Sequence, residues 1–200
     1  MQKQLFALIA AGTLAASLAH AGNLGSGALY YTNGTIQATE QWGPDADLND
    51  FEIHYDVNAV GTQVTYTYRL HVPQKGLSHW ILQLCPDLKL SDLTVTGATK
   101  LELKNFGPGP SNPGMPSSYY GIKFDDGWGT GDFIFTIVTD RLPTQGNFYA
   151  KDGKHRGNDV YAFNCDPLLV PGCERIPEPT GFVLTMAGLG LFTLIRRKHG

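Results

Sequence analysis

The sequence predicts a mainly β protein, an antiparallel two-sheet β-sandwich of about ten short strands, on three observations. Apolar and polar residues alternate with period two from Ala28 onward, turn residues recur between the alternating runs, and no sustained helical period appears outside the two ends. The ends differ in kind from the middle. Each carries an apolar run, predicting an N-terminal signal helix and a C-terminal single transmembrane helix around the domain.

At the N-terminus Lys3 precedes an apolar run from Leu5 to Leu18, followed by Ala19-His20-Ala21. The run is short for a membrane span, and the small side chains of Ala19 and Ala21 suit the shallow pockets of a signal peptidase. Cleavage before Gly22 is expected, making residues 1–21 a signal peptide and residues 22–175 the domain.

Within the domain the clearest alternation is Phe51, Ile53, Tyr55 and Val57, then Val64, Tyr66, Tyr68, Leu70 and Val72. With Asn58 to Gly61 as the turn, these runs form a hairpin. Further strands are expected at Tyr30–Tyr31, Thr35–Gln41, Ser78–Leu84, Leu88–Thr96, Leu101–Phe106, Tyr119–Phe124, Phe133–Thr139, Phe148–Lys151 and Val160–Phe163. Pro86, Pro143 and Pro167 interrupt runs where a central strand cannot continue, which favours a sandwich over a barrel. Gly107 to Ser118 contains Pro108, Pro110, Pro113 and Pro116 and reads as a long semi-rigid loop.

The C-terminus carries Ile176-Pro177-Glu178-Pro179, an uncharged stretch from Thr180 to Ile195, and Arg196-Arg197-Lys198. As a helix that stretch spans roughly 24 Å, short of a hydrocarbon core of about 30 Å, and snorkelling arginines make up the difference. The basic cluster holds its end in the cytoplasm and leaves the domain outside. Two prolines keep the backbone around Glu178 extended.

On these residues, 176–200 resemble a PEP-CTERM sorting signal, the tripartite tail recognised by exosortases. Pro177, Glu178 and Pro179 match the signature tripeptide, Gly188 and Leu189 lie in the apolar helix, and Arg196, Arg197 and Lys198 match the basic end. The resemblance implies a bacterial precursor tethered in the inner membrane, processed near the tripeptide, and released to the outer envelope or extracellular matrix. Parts of the body are similar to secreted bacterial β-sandwich proteins that often carry this tail, through Ser78-His79-Trp80, the Gly121–Asp125 strand and a late cysteine.

The chain has a net charge of −3, with 18 acidic residues against fifteen basic ones, four of which (Lys3, Arg196, Arg197, Lys198) lie in the terminal segments. No basic stripe interleaved with aromatics is present, which excludes a nucleic-acid partner. In an oxidising compartment the cysteines Cys85, Cys165 and Cys173 leave one unpaired after a single disulfide. Pairing of Cys85 with Cys165 or with Cys173 would close a long loop.

Two acidic segments are candidates for calcium. Asp45, Asp47 and Asn49, running on to Asp50, Glu52 and Asp56, place oxygen ligands at alternate positions, but Asp50 stands where an EF-hand loop needs Gly and Asp56 where it needs Glu. Asp125, Asp126 and Asp132 surround Gly127, Gly129 and Gly131, beside Trp128. No other cofactor is implied. His54, His71, His79 and His155 show no zinc spacing, although His54 and His71 lie on polar faces of adjoining strands and can meet across the hairpin.

No Gly-x-Ser-x-Gly elbow or phosphate loop occurs, and acid pairs such as Glu40 with Glu52 have no separation readable from sequence. No catalytic residue is assigned. The expectation is a non-enzymatic surface or matrix protein, sorted by signal peptidase and exosortase and associated with exopolysaccharide or biofilm. A carbohydrate-binding module, with Trp42, Trp128, Tyr119 and Tyr120 as an exposed platform, is the alternative, and a secreted hydrolase comes third.

Overall fold

The strongest alternation lies at the heart of one sheet. In β3 (Glu52–Val60) and β4 (Gln63–Val72) the residues Ile53, Val57, Val64, Tyr66, Tyr68, Leu70 and Val72 are all fully buried, with Tyr55 partly buried against the same core, while His54, Asn58 and Arg69 between them are exposed. The ladder continues to Val60↔Gln63, so the turn is the two residues Gly61-Thr62, with Gly61 at φ 62°. It is tighter than the expected Asn58–Gly61 turn, because the glycine supplies the left-handed backbone that a two-residue hairpin needs.

This computed structural model describes residues 21–39, 41–43, 50–155 and 158–177. Among them the chain is mainly β and antiparallel, with thirteen strands and no α-helix. Besides β3 and β4 the strands are β1 (Gly22–Tyr30), β2 (Ile36–Ala38), β5 (His79–Gln83), β6 (Thr94–Thr96), β7 (Leu101–Phe106), β8 (Tyr119–Phe124), β9 (Gly131–Thr139), β10 (Arg141–Gly146), β11 (Phe148–His155), β12 (Asn158–Asn164) and β13 (Leu168–Arg175). They form a five-stranded sheet in the order β1-β3-β4-β9-β6, a six-stranded sheet in the order β2-β12-β11-β5-β8-β7, and a two-stranded β10-β13 ribbon.

One buried cluster draws on all three sheets. Trp80 of β5 stacks on Phe124 of β8 at 4.4 Å and meets Phe135 of β9 at 4.9 Å and Tyr68 of β4 at 5.7 Å. Burying aromatics of this size contributes about 2–3 kcal/mol each, so this contact is a principal hold between the strands it joins.

Four expectations are corrected. Strand β1 starts at Gly22 and not near Tyr30; its glycines have weak β propensity, and at Gly27 the missing side chain leaves room for the end of the Tyr55 side chain on the neighbouring strand. Leu88–Thr96 is not one strand. Asp92 accepts a hydrogen bond from the Lys89 amide at 3.0 Å and closes a 3-10 turn over Leu90–Asp92, leaving only β6 extended. Strands β10 and β13 were not expected, because each contains a proline; Pro143 pairs opposite Pro171 in a two-stranded ribbon, where a missing amide can face away from the partner. The total therefore exceeds ten.

The proline-rich segment 107–118 also does more than connect. It packs over the outer face of the six-stranded sheet, where Met115 joins Ile81, Phe106, Tyr119 and Tyr149 in a second buried cluster. Tyr149 donates its hydroxyl to the Pro113 carbonyl at 2.8 Å, and Asn112 donates to the Gly107 carbonyl at 3.1 Å. These bonds pin the segment as a strap.

The expected signal helix with Ala19, the tail from Glu178 through Arg196, Arg197 and Lys198, Glu40, and the acidic positions Asp45, Asp47 and Asn49 lie outside the described residues. Among the described residues no helix is long and apolar enough to cross a membrane.

Candidate functional site

The cysteines resolve into a pair and a single thiol. Cys85, just after β5, is bonded to Cys173 in β13, with Cα atoms 5.1 Å apart and a sequence separation of 88; Cys165 is free and exposed. Beside the disulfide, Arg141 is 2% exposed and donates to the Cys173 carbonyl at 2.6 Å and to Asp87 at 2.9 Å. Arg175 pairs with Asp140 at 2.9 Å, and the Ile176 amide donates to the Asp140 carbonyl at 2.8 Å. The end of β13 is thus fixed immediately before Pro177. Among the described residues Cys85, Asp87 and Cys173 are the one group of three potential ligand atoms lying within 4.8 Å of one another, and its two sulfurs are already joined.

The acidic, glycine-rich hairpin spends its carboxylates separately. Asp126 accepts from the Thr99 and Lys100 amides at 2.5 and 2.8 Å and from the Thr99 hydroxyl at 3.0 Å, and these bonds, the Thr99 amide foremost, hold its carboxyl below the usual range. Asp125 pairs with Lys123 at 2.7 Å, and Asp132 with His71 at 2.7 Å. Their engagements run in different directions, and no three-ligand cluster forms from them. Trp128 is half-buried against Phe135 at 5.1 Å, with its backbone bridged to Leu77.

Nor do the four candidate platform aromatics assemble. Trp42, expected at the surface, is fully buried; it stacks on Phe51 at 4.8 Å and donates its Nε1 to the Gln74 carbonyl at 2.9 Å, which satisfies the indole inside the core. Tyr119 is buried under the strap, and Tyr120 donates its hydroxyl to the Leu88 carbonyl at 2.9 Å. Different aromatics line up instead. Tyr149, Tyr161 and Phe163 lie on the outer face of the six-stranded sheet, with rings 6.3 Å apart at 21° and then 6.4 Å apart at 11°. Tyr161 and Phe163 are half-buried.

No family model, curated protein or solved structure matches the chain.

His54 and His71 do not meet. Across the hairpin His54 faces Arg69 and His71 faces Glu52, and each ring contacts a carboxylate, Glu52 at 3.0 Å for His54 and Asp132 for His71. His79 is the buried one. It lies beneath the strap, 5% exposed, and donates from Nε2 to Asn112 Oδ1 at 3.1 Å while its ring sits 6.2 Å from Tyr149. Burial, with Lys123 nearby, pushes its pKa down to about 4, so the ring is neutral near pH 7.

Two shallow hollows lie on the surface of the described residues. One of about 330 Å³ has Asp92, Asp140 and Arg175 in its lining, and both acids there are already engaged by the bonds given above. The other, of about 490 Å³, lies on the outer face of the five-stranded sheet around His54, Asp56, Thr67 and Arg69. Sequence reasoning missed the Tyr149, Tyr161 and Phe163 array; the signal available was the spacing of Tyr161 and Phe163, two residues apart and so on one face of a strand.

Proposed function

We propose that this chain is an exported, exosortase-sorted surface or matrix protein that acts by binding or coating, in association with extracellular polysaccharide, and not as an enzyme. The observation that carries the reading is the order Pro177-Glu178-Pro179, apolar stretch, Arg196-Arg197-Lys198, set directly after the last fixed residue of the domain. Two features support it. The Cys85–Cys173 bond suits an oxidising compartment outside the cytoplasm, and β1 begins at Gly22, the residue following the expected signal peptidase site at Ala19 and Ala21.

The fold that goes with this reading is a two-sheet sandwich, supported by the contacts of Trp80 with Phe135 and Tyr68 across the two larger sheets. Calcium remains a candidate ligand only for the Asp45, Asp47 and Asn49 segment, since Asp125, Asp126 and Asp132 are engaged elsewhere.

The test is cell fractionation with intact-mass analysis in cells with and without an exosortase. The reading expects a mature chain beginning at Gly22, lacking Arg196 to Gly200, and found in the outer envelope or medium only when the exosortase is present. A mature chain that keeps Arg196 to Gly200 and stays in the cytoplasmic membrane of competent cells refutes it.

A further inference from the structure

Both ends of the domain leave it at one place. Gly22, where β1 begins, pairs with Ala59 beside the Gly61-Thr62 turn. Thr62 of that turn, Ser91 and Asp92 of the 3-10 turn, and Arg175 of β13 line the same hollow, and Ile176 is held there by its bond to the Asp140 carbonyl. Of the four large apolar side chains exposed among the described residues, three belong to this end: Val60 at 62%, Leu90 at 43% and Leu24 at 39%. Such a gathering marks a contact surface. The charges around it largely cancel, since Arg175 pairs with Asp140 and Arg141 with Asp87, leaving Lys89 against Asp92 and Glu174.

The length of chain beyond Ile176 decides what this surface meets. Only Pro177, Glu178 and Pro179 separate Ile176 from the uncharged stretch that begins at Thr180. Fully extended, that spacer carries Thr180 at most about 14 Å from Ile176, and the headgroup layer takes up about 5–7 Å of it. The gap that remains is narrower than a single helix, about 10 Å across, so no second folded protein fits between the domain and the lipid. The uncharged stretch is also short for the hydrocarbon core, and spanning it draws the spacer inward. A domain tethered in this way has its Val60 and Leu90 end at the headgroups.

We infer that, while the chain is tethered, this end of the domain rests on the lipid surface with Leu24, Val60 and Leu90 in the interfacial layer. The inference rests on the tethered-precursor reading above and goes beyond it, because it assigns the domain itself a membrane contact. The contact is apolar, so it does not depend on anionic lipid.

The test places a fluorophore on single cysteines in the full chain, taken from cells lacking an exosortase and inserted into phosphatidylcholine vesicles that carry a nitroxide lipid quencher near the headgroup. Cys165→Ser removes the free thiol, and Val60→Cys, Leu90→Cys and Asp132→Cys supply the labelled positions. Asp132 is exposed and pairs with His71, about 27 Å along β4 from Gln63, the partner of Val60. Labels at 60 and 90 should be quenched at least about threefold more strongly than the label at 132, with or without phosphatidylglycerol in the vesicles. Leu90→Asp should cut the quenching of the Val60 label about threefold. All of these positions are exposed, so the substitutions leave the core intact, and two independent labels report the contact.

If the chain floats with the vesicles but labels at 60 and 90 are quenched no more than the label at 132, the contact is wrong while the tether stands. A chain that does not float with vesicles overturns the tether and the inference together. Quenching that requires phosphatidylglycerol, or that Leu90→Asp leaves unchanged, removes the apolar contact. Shielding of the two labels from aqueous iodide only in membranes that contain an exosortase makes the enzyme the occupant, and the inference also falls.

Discussion

Lowering the pH from 7.5 to 4.5 should cost the protein about 2.5 kcal/mol through His79 alone. In the unfolded chain this imidazole titrates near 6.5; in the fold, burial beneath the strap brings it down to about 4, with Lys123 adding to the shift, Lys151 adding less, and the Asn112 bond and Asp125 opposing. The sign follows from proton counting. Between the two values the unfolded state holds the extra proton, so stability is complete above about pH 6.5 and falls as the pH drops toward 4. The separation of the two values corresponds to about 3 kcal/mol in full, and the fraction lost by pH 4.5 is about 2.5 kcal/mol. Urea denaturation at the two pH values, comparing wild type with His79→Gln, isolates the effect, since all other groups titrate in both. The variant should lose less stability than wild type by that amount. Equal losses in the two proteins would refute the assignment of a neutral, strap-covered His79.

Further outcomes follow from the same packing. Reduction, or Cys85→Ser with Cys173→Ser, should cost about 4 kcal/mol in denaturant midpoint analysis, as expected for releasing a loop of this length, and native thiol titration should find one reactive group, abolished by Cys165→Ser. Arg141→Ala should cost about 3 kcal/mol or more, because it strips a buried cation from the Cys173 carbonyl and leaves a void, while Asp87→Ala, at a 58% exposed carboxylate, should cost under about 1 kcal/mol; thermal melts of the two variants separate these. Trp42→Ala should lose about 4 kcal/mol in the same melts, with the blue-shifted part of the tryptophan emission reduced.

Legibility in the sequence tracked how local the cause was. The β3–β4 hairpin could be read because both strands bury one face and expose the other, so alternation is complete in each. The strands β10 and β13 could not, because what permits Pro143 and Pro171 is the absence of a second neighbour, a property of topology. Trp42 illustrates the same limit for the site. Its neighbours in sequence are Gln41 and Gly43, which resemble a surface turn, and only the stacking on Phe51 and the Gln74 carbonyl decide that it is core. The disulfide was legible as far as one end, Cys85; the choice of Cys173 over Cys165 depends on β10 and β13 pairing, which carries Cys173 to the end of β5.

The Cys85–Cys173 bond also determines how the domain answers to mechanical load. A pull applied at Pro177 reaches Cys173 after unzipping no more than Glu174, Arg175 and Ile176, and from there it passes covalently to the end of β5 in the six-stranded sheet. The rest of β13 lies behind the crosslink and is shielded from peeling. While the bond is intact, traction from the C-terminal side is borne by a sulfur–sulfur linkage into the interior, so the domain withstands being tugged from that end far better than a ladder of hydrogen bonds would allow.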